Sequence, residues 1–213
     1  MTSIQICGPG RDYPAKPRTR GRGGRERPRL DDSSFRLFMA VDMPPAATAE
    51  LVRWQQEYLS GDRVLRLLPE AQLHITLVFL GNMVKRELEL AAAELKRLDG
   101  ISPFEVTITG IVGLPKNRRP RVIAAAVEEP SGRLAGVHDR LAGGLVEKKL
   151  YQREKRPYFP HITIARARGP LRLDLAGIQP EPFKFTAVRV TLYNSILKRE
   201  GASHVALKTV QLI

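Results

Sequence analysis

Residues 73–77 read Leu-His-Ile-Thr-Leu, and residues 160–164 read Pro-His-Ile-Thr-Ile. The same His-x-Thr tripeptide, followed by an aliphatic residue, thus occurs twice, with its histidines at positions 74 and 161. Both copies lie in strongly apolar runs of strand length. Side chains two apart on a strand share a face. His74 and Thr76 therefore point one way, while Ile75, Leu77 and Phe79 point into a core. His161 and Thr163 pair likewise, with Ile162 and Ile164 behind them. The separation is about the length of one lobe; if two such lobes pack about a pseudo-two-fold axis, the His-Thr pairs face each other across a groove.

The chemistry suited to two facing imidazoles is phosphate-ester cleavage without metal. One imidazole takes a proton from water and the other gives a proton to the departing oxygen. Histidine fits both tasks because its unperturbed pKa of about 6.5 lies near neutrality. Threonine hydroxyls can donate to the non-bridging phosphate oxygens. A single histidine in an apolar strand is more often a hydrogen-bonded core residue. Two identical tripeptides in a chain with four histidines in all are hard to explain that way. No carboxylate or thiolate stands at ligand spacing, so no metal is expected. His138 lies on the helix marked by Leu134, Val137 and Leu141 and reads as structural. His204 opens the last strand and is given no role.

Working outward, Phe35 to Val41 reads as a strand. Pro44 and Pro45 then open a helix over 46–59, since proline fits the first helical turn. Residues 73–80 form a strand, and Leu88, Ala91, Ala92, Leu95 and Leu98 mark a helix over 84–98. Strands are expected over 104–111, 122–127, 159–165, 183–192 and 204–212, with a helix through Leu134, Val137, Leu141 and Leu145. Strands and helices alternate in two similar halves, which predicts an α+β fold.

The chain has 213 residues and a formal charge of +13, with a pI near 10.4. Such a balance favours polyanions, nucleic acid first and anionic membrane surface second. No run approaches the ~18 apolar residues of a membrane helix. The lone cysteine, Cys7, excludes an internal disulfide and a thiolate zinc site. Residues 1–34 stand apart: six arginines between 18 and 29 sit among Gly and Pro, with a net of +4 for the segment. This reads as a disordered tail, either an arm that contacts RNA phosphates or a dispensable extension. The basic turn Lys116–Arg121 is either a solvated loop or an RNA contact.

The motifs resemble the two-histidine phosphoesterase superfamily. The closer likeness is to its RNA 2′,3′-cyclic phosphodiesterase branch, also called the 2′-5′ RNA ligase family. Arg36 to Val41 followed by Pro44 resembles the family's opening strand. Leu73 to Leu77 with Phe79-Leu80-Gly81 resembles its first motif, and Tyr158 to Arg166 its second. Leu192 to Ser195 with Gly201 resembles its closing hairpin. The resemblance spans nearly all of 35–213. It implies a bilobal α+β fold of two pseudo-symmetric lobes, each with an antiparallel sheet and outer helices, around a central cleft. It implies hydrolysis of a terminal ribose 2′,3′-cyclic phosphate of RNA, on tRNA fragments or oligonucleotides, to a 2′-phosphate. It further implies reversible, ATP-independent 2′-5′ joining, no cofactor and no metal. By the resemblance His74 is the proton donor, His161 the acceptor, and Thr76, Thr163 and Arg166 bind the phosphate. Strict alternation would turn Arg166 away from Thr163, so its role requires a bulge there. A cytoplasmic monomer is expected. Two other classes stay open: a non-catalytic RNA-binding module of the same fold, and a phosphodiesterase of small cyclic or 2′-5′-linked nucleotides.

Overall fold

The computed structural model describes residues 34–115, 119–171, 174–198 and 201–213. The Arg/Gly-rich tail, apart from Ser34, and residues 116–118 of the basic turn lie outside the described residues. The apolar opening run forms strand β1 (Phe35–Asp42), whose residues 37–41 are buried. Helix α1 (Pro45–Trp54) starts on proline and buries Ala47, Leu51 and Trp54 along one stripe. The expected helix does continue to residue 59, but as a π-helical turn from Gln55 to Leu59. Strand β2 (Leu65–Leu67) follows; three residues carry no period, and the sequence gives no sign of it.

Strand β3 (His74–Met83) carries the first motif. Helix α2 (Lys85–Glu94) is capped by the Glu87 carboxylate, which accepts from the Val84 N–H at 2.9 Å. The remaining elements are β4 (Phe104–Leu114), β5 (Val122–Glu128), α3 (Arg133–Glu147), β6 (His161–Ala167), β7 (Phe183–Ala187), β8 (Arg189–Lys198) and β9 (Gly201–Gln211). The run expected as one strand over 183–192 is two. β7 pairs with β4, while β8 pairs with β1 and β9. Apolar residues continue through the break because both pieces are half-buried, so the sequence pattern shows no boundary.

The strands form one antiparallel sheet in the order β7-β4-β5-β6-β3-β1-β8-β9, with β2 added on β6. This is an α+β fold. Its two four-stranded halves meet at β3 and β6, through the single pair Ile75↔Ile162. Continuing that antiparallel register by one residue sets His74 against Thr163 and Thr76 against His161. The pseudo-two-fold axis therefore passes between the two isoleucines. Ile75 and Ile162 are fully buried and belong to a core that includes Leu51, Trp54, Leu95, Leu134, Leu141 and Leu145. Burying that one face leaves the opposite face of the central strands to form the cleft.

Candidate active site

His74, Thr76, His161, Thr163 and Arg166, all anticipated from the sequence, line one cavity of about 550 Å³. The first four follow from alternation, and Arg166 does not. In the β5–β6 ladder Ile123 pairs with Ala165 and Ala124 with Thr163, so Ile164 is an extra residue. This bulge resets the alternation: Ile164 and Ala165 are both buried, and Arg166 returns to the cleft face. The carbonyl of Ile164 accepts from the Leu68 N–H at 2.9 Å and from the Gln55 side chain at 2.7 Å. Gln55 also donates to the Leu68 carbonyl at 2.8 Å and is 2% exposed. It stands in the π-helical turn, a distortion frequent at functional sites.

β3 has the same bulge at the same place. Met39 pairs with Val78 and Ala40 with Thr76, leaving Leu77 extra. Leu77 and Val78 are buried, and Phe79 emerges on the cleft face at 45% exposure. Phe79 was expected in the core; the bulge turns it out. Leu77 and Ile164 are each three residues after their histidine, so Phe79 occupies in one half the position of Arg166 in the other. The Arg36 guanidinium lies over the Phe79 ring, 4.9 Å from its centre.

The two imidazoles have different surroundings. His74 stacks on Phe38 at 4.8 Å, and Phe38 stacks on Tyr193 at 5.2 Å. The Tyr193 hydroxyl donates to Asp42 at 2.8 Å, and Asp42 faces His74 across the β1–β3 ladder. His204 meets His74 edge-on at 5.4 Å and also lines the cavity. Nothing in the sequence marked His204, which lies in β9 and reaches the cleft only through the β8–β9 pairing Ser195↔His204. Burial, above all, lowers the His74 pKa from 6.5 to about 4; the charges of His204 and His161 push it the same way, against a hydrogen bond to the Gln72 backbone. Burial and Arg36 lower His204 as well. The Nδ1 of His161 hydrogen-bonds the Phe159 carbonyl at 2.9 Å. A carbonyl only accepts, so Nδ1 carries the proton and Nε2 is left for the cleft.

Tyr158 braces the two motifs. Its hydroxyl donates to the Thr76 carbonyl at 3.0 Å, and its ring stacks on His138 at 4.2 Å. His138 is thus a packing residue, as its helix position implied. Among the described residues, four cations, Arg36, Arg66, Arg166 and Lys198, line the cavity, with no aspartate or glutamate. Such a cavity attracts anions. Among the described residues no group of three or more His, Cys, Asp or Glu could hold a metal ion. No helix among them is long and apolar enough to cross a membrane.

This arrangement meets known proteins at several points. The family model of the 2′-5′ RNA ligase superfamily matches residues 43–198. A relative in Methanothermobacter thermautotrophicus, named RNA 2′,3′-cyclic phosphodiesterase, is 31% identical over 65% of this chain and 74% of its own. One of the same name in Thermus thermophilus is 34% identical over 64% and 70%. A crystal structure from Thermus thermophilus superposes with a TM-score of 0.72 at 29% identity, covering 83% of this chain and 97% of its own. LigT of E. coli, solved with 3′-AMP, has the same fold, with a TM-score of 0.72 at 21% identity over 84% and 98%. The matched residues include both His-x-Thr strands, and the chain belongs to the 2′-5′ RNA ligase superfamily.

Proposed function

We propose that the protein hydrolyses the terminal 2′,3′-cyclic phosphate of RNA to a 2′-phosphate, with His161 as base and His74 as acid. The observation that carries this is the juxtaposition of both His-x-Thr pairs on one cleft face about the Ile75–Ile162 bridge. The names of the relatives support the same activity. Water attacks phosphorus as His161 Nε2 takes its proton. The P–O3′ bond breaks, and His74 gives its proton to the departing 3′ oxygen. In-line displacement puts attacking and leaving oxygens on opposite sides, which suits one imidazole from each half. Thr76, Thr163 and Arg166 hold the non-bridging oxygens. A 5′-hydroxyl in place of water yields a 2′-5′ linkage without ATP, and the step is reversible.

The acid role of His74 needs a proton that the free site discourages, since its pKa there is about 4. The anionic cyclic phosphate supplies the missing charge: an opposite charge within a few ångströms favours the imidazolium. Substrate binding and proton uptake are therefore coupled. The test is incubation with an oligoribonucleotide ending in a 2′,3′-cyclic phosphate, in EDTA, with the product's phosphate located. A 2′-phosphate is expected. A 3′-phosphate, no turnover, or turnover that EDTA abolishes and a metal restores, contradicts the reading. A protein that binds the oligonucleotide without cleaving it is the binding module instead.

A further inference from the structure

Arg66 is a cleft residue that the catalytic scheme leaves unused. It lies on β2, directly across the ladder from Arg166 on β6. Side chains so paired start about 4.5–5.5 Å apart at Cβ and point to one face, and like charges so placed destabilise a sheet. Both arginines line the cleft. From β2 the Arg66 side chain crosses to the opening of β9 in the other half. A Cβ on Gly201 would lie 2.5 Å from its Nη1, and Gly201 has φ +142°. Glycine at 201 thus leaves room for the guanidinium at the end of the cleft. The two-fold mate of Arg166 is Phe79, whose ring lies under Arg36, so the strand-paired arginines Arg66 and Arg166 belong to the β6 side of the cleft.

We propose that Arg66, beside Arg166, binds the second phosphate of the substrate, the one that joins the terminal nucleotide to the rest of the RNA. This rests on the phosphodiesterase reading and deepens it: the preferred substrate is an RNA chain end rather than a cyclic mononucleotide. The cyclic phosphate takes Arg166 and the threonines. The next phosphate along takes Arg66, whose planar fork suits two phosphate oxygens. A nucleoside 2′,3′-cyclic phosphate has no second phosphate for Arg66 to bind.

The experiment compares a nucleoside 2′,3′-cyclic phosphate with an oligoribonucleotide ending in the same group, for the wild type, Arg66→Met and Gly201→Ala. Each variant should raise KM for the oligonucleotide about tenfold, the worth of one charge-assisted hydrogen bond. Its effect on the mononucleotide should stay within about twofold, on the same principle; that substrate also reports that the variant is folded. The salt dependence of oligonucleotide KM should become shallower by about 0.7 in logarithmic slope for one lost single-strand phosphate contact. Equal losses on both substrates, or none on either, would overturn the proposal. Equilibrium binding of a nucleoside 2′-phosphate and an oligoribonucleotide 2′-phosphate gives the same comparison without turnover. Discrimination through Arg66 in a protein that cleaves neither substrate sinks the phosphodiesterase reading alone. Cleavage of both with Arg66→Met unchanged in both assays sinks the second-phosphate site alone.

Discussion

The segments His74–Phe79 in β3 and His161–Arg166 in β6 are built alike and differ where it matters. Both begin with His-x-Thr, and both carry a bulge on the residue after threonine. Both then return their sixth residue to the cleft. In β6 that residue is the cation Arg166; in β3 it is Phe79. His161 donates Nδ1–H to a backbone carbonyl. His74 is enclosed by Phe38 and His204 and is held neutral in the free protein. One geometry repeated about an axis thus gives a cleft with direction: two imidazoles in different surroundings, and an arginine on one strand where the other carries an aromatic ring. Backbone symmetry supplies the placement of groups, and side-chain asymmetry supplies their roles.

The largest expected effects come from removing either imidazole. His74→Ala and His161→Ala should each lower kcat at least ~10²-fold on an oligonucleotide 2′,3′-cyclic phosphate, the typical worth of a general acid or base. A much smaller loss in either would break the equivalence of the two strands. Next comes the sixth position. Arg166→Met should cost roughly 10-fold or more in kcat/KM, because it removes a charged phosphate contact. Phe79→Ala should cost less, since it removes a wall and the seat of Arg36. If the order is reversed, the phosphate does not sit against Arg166.

Gln55 holds the bulge of β6 and has no part in that of β3, so Gln55→Leu sharpens the comparison. It takes one of two donors from the Ile164 carbonyl and its donor from the Leu68 carbonyl. A stability loss of about 1–3 kcal/mol is expected for buried groups left unsatisfied, read by chemical denaturation. If Gln55 aims Arg166, KM should rise more than kcat falls, and Gln55→Glu at low pH should not restore it. Normal KM in a destabilised variant would make Gln55 a packing residue only.

The smallest effect is on stability against pH. His74 folds with a pKa of about 4, below the ~6.5 of an unfolded chain. Between these values the unfolded state binds more protons, so stability falls as pH drops from 6.5 towards 4. His74→Phe should flatten that slope, read by chemical denaturation across this range. An unchanged slope in His74→Phe would contradict the enclosure of His74.

The halves, their motifs and the cleft-facing tripeptides were legible because a two-residue period and an exact repeat carry them. The bulges were not. One extra residue on a strand leaves no mark in an apolar run, and alternation extended past Thr76 puts Phe79 in the core. Arg66 escaped notice because Leu65–Leu67 is too short for a period. His204 lies 130 positions from His74, and only the pairing of β8 with β9 and of β1 with β8 brings them together. Gln55 sits inside a helical run where a polar residue reads as surface. In each case the missing information was a long-range pairing rather than a local preference.

The central claim is that the two histidines act on opposite sides of phosphorus, His74 on the leaving 3′ oxygen and His161 on water. A cyclic or diester substrate whose 3′ leaving group is good enough to depart unprotonated tests it directly. With that substrate His74→Ala should recover much of its lost rate and His161→Ala should not. Recovery in His161→Ala alone would exchange the two roles, and recovery in neither would contradict the two-imidazole mechanism.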